Sequence, residues 1–329
     1  MEERVSGEPH RRSLVGRLGR AAWRLAAIIG AVAAAATAVG LFGSLGWPFD
    51  LANAFRPQYG VVLVTIGAVA VMLRRAVTAV LLLTAGILNV GLVAPYVMGA
   101  GPDPSAPGAQ LTIVSFNVGI SNPNRAPVAR YLGDLGPDLI VLMESSFEWE
   151  DAVAAAGLPM ATVAIVPIDR VTGITILADP SLRAVTMPTG FAPIDQALAV
   201  AVEVEGTRVL VLALHPPSPM TPSRHRARDA LLADAGRWVA SQEHPVIVVG
   251  DLNATPWSAA FRELRWRGRL RDTMEGAGLQ PTFRRGWGPF AIPIDHALHT
   301  AGVDTVRRGT GPTFGSDHRP LIVTLAVAD

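Results

Sequence analysis

Long apolar runs dominate the first third of the chain. They lie at about 21–43, 57–74 and 76–98, and their charged residues, such as Arg24, stand near the ends of the runs. A membrane-spanning helix needs about 20 mostly apolar residues, whereas a helix of a soluble core would show a polar face, which these runs lack. The pattern predicts three transmembrane helices that together form a membrane domain over residues 21–99.

The distribution of arginine predicts how these helices are oriented. The tail at 1–20 carries five arginines and the turn at 74–75 carries two, whereas the connection at 44–58 has only Arg56, offset by Asp50. Positive residues accumulate in cytoplasmic loops. We therefore expect a multi-pass protein of the cell membrane with a basic cytoplasmic tail. Three crossings then put everything beyond the third helix on the extracytoplasmic side.

A stretch rich in proline and glycine, 100–110, predicts a linker, and the pattern changes after it. Helical patterns occur at 126–136 and 224–242, and a third helix is predicted after Asn253, with Thr255 as its N-cap and Pro256 in its first position. Short apolar runs alternate with these helices. The predicted strands lie at 111–119, 138–146, 173–179, 197–204, 207–217, 246–251, 294–300 and 321–328. Such alternation predicts an α/β or α+β domain over 111–329.

Polar residues recur at or just beyond the ends of these predicted strands. They are Asn117, Glu144, His215, Asp251, Asn253, Asp295, Asp317 and His318. Any one of them has a plain structural explanation as a turn or cap residue, but ligand groups of layered α/β proteins gather at strand ends. The set as a whole therefore predicts one functional site.

Composition narrows the chemistry of that site. Hydrophobic residues make up 50 % of the chain, charged residues 17 %, and the net charge is +1, so bulk charge does not require a nucleic-acid partner. The absence of cysteine and lysine excludes thiolate zinc sites, a cysteine nucleophile and Schiff-base chemistry. Carboxylate and carboxamide oxygens favour Mg²⁺, Mn²⁺ or Ca²⁺, and such an ion beside histidines suits attack of water on a phosphate ester. For His296 and His299 we prefer a structural role, because residues three apart on a strand face opposite sides.

The order of six short motifs resembles the endonuclease/exonuclease/phosphatase superfamily, the deoxyribonuclease I-like proteins, over about 110–329. The motifs are SFNV, LMESS, ALHPPSP, GDLNATP, IDHAL and GSDHRPL. The preceding apolar runs are similar to those of bacterial membrane-anchored members. The resemblance implies a four-layered sandwich, with two β-sheets packed face to face and helices outside.

The resemblance also implies a metal site. Glu144 would be the principal ligand, with Asn117 and Asp317 nearby. Some nucleases of the superfamily place an acid two residues after the motif asparagine, where this chain has Gly119. A second metal subsite is therefore doubtful, but the site at Glu144 is not affected.

The remaining motif residues would act on the phosphate and the attacking water. By the resemblance, Asp251 and Asn253 position the water and the phosphate. His318 contacts the scissile phosphate and is oriented by Asp295, while His215 faces the phosphate from the other side.

We therefore expect a membrane-anchored, metal-dependent enzyme that hydrolyses a phosphodiester of nucleic acid or of a phospholipid headgroup. The segment at 262–271 contains five arginines and Trp266 and could face either polyanion, or it could simply be solvated. The alternative is a catalytically inactive, membrane-tethered binding domain of the same fold. Nothing in the sequence predicts a protein partner.

Overall fold

A computed structural model describes residues 8–168, 172–191, 195–283 and 288–328 of the chain. Residues 1–7 of the predicted tail lie outside these ranges. The helices are α1 (Glu8–Leu41), α2 (Trp47–Leu51), α3 (Arg56–Met72), α4 (Ala76–Met98), α5 (Arg125–Leu135), α6 (Phe147–Ala155), α7 (Pro222–Ala240) and α8 (Ala259–Gly268). The strands are β1 (Ala109–Asn117), β2 (Leu139–Met143), β3 (Ala161–Ile168), β4 (Thr172–Ala178), β5 (Val185–Met187), β6 (Ala197–Val204), β7 (Thr207–Leu214), β8 (Val246–Asp251), β9 (Arg271–Asp272), β10 (Asp295–His299), β11 (Val303–Thr310) and β12 (Leu321–Val327).

The predicted membrane part contains three long apolar helical segments, which confirms that element of the fold. Among the described residues, the segments long and apolar enough to span a bilayer are Gly16–Leu41, Trp47–Met72 and Ala76–Met98. The first helix differs from the prediction, because α1 already begins at Glu8 and includes most of the segment expected to be a separate tail. Its 34 residues extend about 50 Å, whereas the hydrocarbon core of a bilayer is about 30 Å thick.

The two ends of this helical bundle have different neighbours. At one end the guanidinium of Arg75 lies over the ring of Trp23, 5.1 Å from its centroid, so the turn between α3 and α4 lies beside the amino-terminal part of α1. At the other end Trp47 Nε1 donates to the backbone oxygen of Pro219 at 3.0 Å. The connection between α1 and α3 therefore contacts the segment just before α7, in the part of the chain that follows the bundle.

The segment predicted as a linker, 100–110, packs against the same part of the chain. Asp103 N donates to the backbone oxygen of Thr305 at 2.8 Å, and β1 begins within the segment, at Ala109. The segment therefore contacts β11 and leads directly into the sandwich.

Outside the bundle, the described strands form two six-stranded sheets that pack face to face. The order is β11-β12-β1-β2-β4-β3 in one sheet and β5-β6-β7-β8-β10-β9 in the other. Each sheet has one parallel pair near its middle, β1–β2 or β7–β8. Helices α5 and α6 cover the outer face of the first sheet, and α7 and α8 cover that of the second. This is the four-layered sandwich that the resemblance implied.

The central strands are apolar over most of their length because both of their faces are buried. In β7, Val209 and Val211 belong to the core between the two sheets, whereas Leu210 and Leu212 pack under α7 and α8. Successive side chains of a strand point to opposite faces, so a strand in the middle of four layers needs apolar residues on both. A polar residue at the end of such a strand is then the first that can meet solvent.

Helix α8 begins later than the sequence predicts. Thr255 and Pro256 lie in a turn, and the helix starts at Ala259 with Ser258 as its N-cap. The Ser258 side chain accepts a hydrogen bond from the backbone of the third helical residue, and Asp50 Oδ1 accepts one from Ala259 N at 2.8 Å. These acceptors satisfy the free amides of the first turn, so the predicted cap at Thr255 is wrong.

Gly250 lets the strand that carries Asp251 pass very close to its neighbour. The φ angle of Gly250 is 142°, and a Cβ atom there would collide with the backbone oxygen of Leu214 in β7. Glycine adopts this conformation without steric cost, unlike other residues. The glycine thus permits the close β7–β8 pairing that sets the position of Asp251.

We predict that Gly250→Ala lowers the free energy of unfolding by about 2 kcal/mol or more, because both the φ angle and the collision must be relieved. Thermal unfolding of the full chain in detergent measures the effect. Gly309→Ala in β11 is the matched control, since a Cβ there meets no atom within 4 Å. Equal shifts for both variants would contradict the close approach described for Gly250.

Candidate active site

In each sheet, the residues of the candidate site lie where the two parallel strands end. Strands β1 and β2 end at the register partners Asn117 and Met143, and Glu144 follows directly. Strands β7 and β8 end in the same way, with His215 after the first and Asp251 closing the second. Parallel strands end at a common edge, and the two sheets face each other. The four polar residues therefore meet at one edge of the sandwich.

Antiparallel neighbours add residues from the points where they begin. Strand β10 starts at Asp295, which is the register partner of Asp251. His318 precedes β12, the antiparallel neighbour of β1, and the Ser316 hydroxyl ties this segment to the end of β1 by donating to the backbone oxygen of Asn117 at 2.7 Å.

Asn117 joins two carboxylates that come from different sheets. Its Nδ2 atom donates to Glu144 Oε1 and to Asp251 Oδ2, both at 3.1 Å, and its Oδ1 atom accepts from Gly119 N. The amide nitrogen, rather than the oxygen expected of a metal ligand, thus faces the acids. In this arrangement Asn117 holds the two carboxylates side by side.

Glu144 has an unusual backbone conformation for a residue with a side chain. Its φ angle is +55°, in the left-handed region that costs free energy for residues other than glycine. The turn sends the carboxylate back over the strand ends, where Oε2 accepts from Ile120 N at 3.1 Å. The side chain keeps 26 % exposure, so one of its faces remains accessible from solvent.

Asp251 is the buried acid of the site, with a side-chain exposure of 2 %. Its Oδ1 atom accepts a hydrogen bond from the backbone N of Asn253 at 2.9 Å. Asn253 has a φ angle of +48°, and its side-chain Nδ2 donates to the backbone oxygen of Pro216 at 3.0 Å. Burial raises the pKa of Asp251, and the neighbouring His318 opposes that rise. Asp251 can therefore accept a proton more readily than an exposed aspartate.

His318 and Asp295 form a buried pair. His318 Nδ1 lies 2.8 Å from Asp295 Oδ2, and its other ring nitrogen lies 3.6 Å from Asp251 Oδ2. Burial alone would lower the pKa of His318, but the carboxylates of Asp295 and Asp251 outweigh it and raise this pKa to about 10. His318 is therefore protonated at neutral pH, with its Nε2–H directed toward the carboxylate of Asp251.

The two remaining predicted residues line the same cavity. His215 Nε2 lies 3.8 Å from both Glu144 Oε1 and Asp251 Oδ2, and the residue is partly exposed. Asp317 is exposed in the segment that leads to His318. The cavity measures about 950 Å³ and is also lined by Glu144, Asp251, Asn253 and His318.

The donor set at the edge fits a hard divalent cation. His215 Nε2 is too far from both carboxylates for hydrogen bonds, which leaves a gap bordered by Glu144, Asp251 and an imidazole. The potential ligand atoms of Asp251, Asp295 and His318 also lie within 4.8 Å of one another, but two of these residues are already paired by a hydrogen bond. Oxygen-rich donors without thiolates suit Mg²⁺, Mn²⁺ or Ca²⁺.

His296 and His299 have structural roles, as preferred from the sequence. His296 is fully buried, and its Nε2 atom pairs with the backbone oxygen of Ala254 at 2.8 Å. Burial lowers the pKa of His296 to about 4, so the ring is neutral at pH 7. His299 contacts Thr300 O and Thr305 Oγ1. Both rings are held within the protein and take no part in the cavity.

A chain of hydrogen bonds connects the apolar helical bundle to the site. Buried Arg228 of α7 donates from Nη2 to Asp50 Oδ2 at 2.8 Å and from Nη1 to the backbone oxygen of Asn253 at 3.1 Å. Asp50 lies in α2, within the connection between α1 and α3, and its Oδ1 atom also accepts from Asn53, which in turn binds Arg56. The backbone next to Asp251 is thus held by residues that connect it to the helical bundle.

Arg228 was not among the residues predicted from the sequence, and Asp50 was considered only as a charge that offsets Arg56. A signal was present in α7, whose predicted apolar face contains Leu231 and Leu232. Arg228 precedes them by three and four residues and therefore lies on the same face. A charged residue on a buried face needs a buried partner, although the sequence gives no hint that the partner is Asp50.

Comparisons with known proteins agree with this fold. Residues 114–318 match the model of the Endonuclease/Exonuclease/phosphatase family. A structure of humanized D. rerio TDP2 superposes with a TM-score of 0.56 at 17 % identity, over 66 % of this chain and 99 % of that one. For the human Nocturnin catalytic domain the TM-score is 0.53 at 14 % identity, over 70 % and 97 %. For the endonuclease/exonuclease/phosphatase from Bacteroides vulgatus it is 0.53 at 16 %, over 66 % and 99 %.

No curated protein matches the chain. The identities to the solved structures are low, so those structures support the fold alone. The family match covers more than half of the chain and includes the edge at which the polar residues meet. The chain belongs to the endonuclease/exonuclease/phosphatase family.

Proposed function

We propose that the chain is a membrane-anchored, metal-dependent hydrolase that cleaves a phosphodiester, of nucleic acid or of a phospholipid headgroup, by attack of water. The observation that carries the proposal is the convergence of Glu144, Asp251 and His318, distant in sequence, on one cavity. Among the structural neighbours, D. rerio TDP2 was solved with a single strand DNA product and human Nocturnin with a sulfate anion. Both ligands are oxyanions, as the proposed substrate is.

Glu144, with Asn117 and Asp317 nearby, would hold Mg²⁺, Mn²⁺ or Ca²⁺. When bound, the ion offsets the negative charge of the phosphate. Glu144 suits this role because its carboxylate is partly exposed and lies beside the carboxylate of Asp251. Asn117 keeps the two acids together at the edge of the cavity.

Asp251 would align the attacking water and take its proton. The raised pKa of this buried carboxylate makes proton transfer from water less costly than to an exposed aspartate. Asn253 fixes the Asp251 carboxylate through its backbone amide, and its own side chain is held by Pro216. The acid is therefore positioned before the substrate arrives.

His318 would face the scissile phosphate as an imidazolium. Its Nδ1–H is fixed by Asp295, which leaves Nε2–H to donate to a phosphate oxygen or to the departing oxygen. His215 would contact the phosphate from the opposite side of the gap. The presence of all these ionisable groups in one cavity argues against the inactive binding domain as the alternative function.

We predict that chelation with EDTA abolishes hydrolysis of bis(4-nitrophenyl) phosphate and that Mg²⁺ or Mn²⁺ restores it. Glu144→Gln should lower kcat/KM about 100-fold or more, because the neutral amide is a poorer ligand for a hard cation. The matched control is Glu148→Gln, which neutralises an exposed glutamate of α6. If wild type and Asp251→Ala are equally inert on nucleic-acid, lipid and sugar phosphoesters, the enzyme proposal is wrong.

We predict that Asp295→Asn moves the alkaline limb of the pH–rate profile to lower pH. The carboxylates of Asp295 and Asp251 together raise the pKa of His318 to about 10, so the wild-type imidazolium persists until the pH rises through that value. Without the charge of Asp295 the proton is lost at a lower pH. The measurement is kcat/KM between pH 6 and 10.5, and an unchanged alkaline limb would contradict the proposed role of His318.

We also propose that the sandwich domain lies on the extracytoplasmic side of the membrane. The Arg75–Trp23 contact groups the arginine-rich turn with the amino-terminal part of α1, and the sandwich packs at the other end of the bundle. Positive residues favour the cytoplasm, so these two ends should lie on opposite sides of the bilayer.

For this topology we predict that alkaline phosphatase fused after residue 329 is active and that green fluorescent protein fused there is dark. Both reporters fused after residue 75, in the turn between α3 and α4, provide the reciprocal control. Cytoplasmic behaviour of the carboxyl-terminal fusions would overturn the outward placement.

A further inference from the structure

The cavity that holds the catalytic residues extends onto the membrane module. One of its walls consists of Leu51, Ala54 and Phe55, from the connection between α1 and α3. Its volume of about 950 Å³ is at the upper end of the range for small-molecule pockets, roughly 300–1,000 Å³. The cavity therefore has space for a substrate much larger than the phosphodiester group itself.

Exposed apolar side chains surround this cavity. Ile120, Met220 and Phe290 all line it, and they remain 44 %, 56 % and 53 % exposed. Phe290 meets Phe55 edge to face, with ring centroids 6.0 Å apart, so the apolar lining of the sandwich continues into that of the membrane module. Large apolar side chains exposed together beside polar groups mark a surface that binds an apolar ligand.

The basic residues of the chain do not favour a nucleic-acid strand in this cavity. Two arginines line the cavity, the exposed Arg224 and the buried Arg228, and Arg228 is already paired with Asp50 and Asp229. Among the described residues, no arginine of the 262–271 segment lines it. Two of those arginines, Arg265 and Arg267, are paired with Glu275 and Glu263. A strand of nucleic acid needs successive basic contacts along its backbone, whereas the wall described here is apolar and belongs to a membrane protein's interhelical connection.

We propose, on the basis of the function proposed above, that the substrate is an amphiphile, a phosphodiester that carries a long hydrocarbon chain. Its phosphate lies against Glu144, Asp251 and His318, and its chain lies along Leu51, Phe55 and Phe290. The connection between the first two membrane helices is thus a specificity element. A lipid leaving the bilayer provides both parts in one molecule.

The test uses alkyl 4-nitrophenyl phosphates, which share one leaving group and differ only in a chain of two, eight or sixteen carbons. The full chain is assayed with Mg²⁺ in a phosphate-free detergent, and a single-stranded oligonucleotide is assayed in parallel. We expect kcat/KM to rise about tenfold or more from the ethyl to the octyl diester, since burial of a few methylenes suffices for that ratio.

Two variants examine the wall. Phe290→Ala removes an exposed apolar side chain and should fold, and Ala54→Trp fills the cavity. Both should reduce the ratio of octyl to ethyl kcat/KM toward one. Val185→Trp is the control, because Val185 is exposed on β5 and lies away from this cavity. A wild-type ratio unchanged in all variants would overturn the inference.

The outcomes separate this inference from the proposed function. Hydrolysis of the ethyl diester without dependence on chain length, or a higher kcat/KM for the oligonucleotide, leaves the phosphodiesterase in place and refutes the amphiphile. If no diester is hydrolysed, the proposed function fails, and binding decides the inference. A fluorescent hexadecyl phosphodiester is then titrated in EDTA, and equal affinity of wild type and Phe290→Ala refutes the chain-binding wall.

Discussion

A buried carboxylate, that of Asp251, imposes the main constraint on this molecule. A charge in the interior is unfavourable unless hydrogen bonds and opposite charges compensate it. Here Asn117 from the other sheet and the backbone amide of Asn253 donate to it, and His318 faces it. These partners come from separate parts of the chain, so the carboxylate is compensated only when both sheets are in register. The requirement for a stable buried acid and the requirement for an assembled site are therefore the same.

Much of this arrangement follows from the sequence because the central strands are buried on both faces. Unbroken apolar runs show where such strands lie, and a polar residue such as Glu144 or Asp251 shows where they end. Parallel neighbours then put these ends together without detailed knowledge of the loops. The predicted strands 197–204 and 207–217 leave a gap of two residues, Glu205 and Gly206, and both have the positive φ angles that a two-residue hairpin turn requires. The outer strands β3, β5, β9 and β11 were not predicted. Strands β5 and β9 have only three and two residues, and β11 is largely polar.

The parts that the sequence did not reveal depend on contacts between distant segments. Helix α8 starts at Ala259 instead of Pro256, where Asp50, a carboxylate from the connection between α1 and α3, accepts its first amide. The orientation of the Asn117 amide depends on two acids and a backbone amide that only the folded chain brings together. Propensity and periodicity describe neighbours along the chain, whereas the bonds from Ala259 to Asp50 and from Asn117 to Asp251 join residues more than a hundred positions apart.

The pairing of Arg228 with Asp50 has a consequence for how the protein can be divided. A fragment that starts at the sandwich domain keeps every residue of the candidate site. Its buried Arg228, next to the backbone of Asn253, loses Asp50 and retains only the half-exposed carboxylate of Asp229. The apolar helices are thus more than a detachable anchor. They complete the interior of the enzyme, and a foreign anchor grafted in their place would have to supply an acid at the same point.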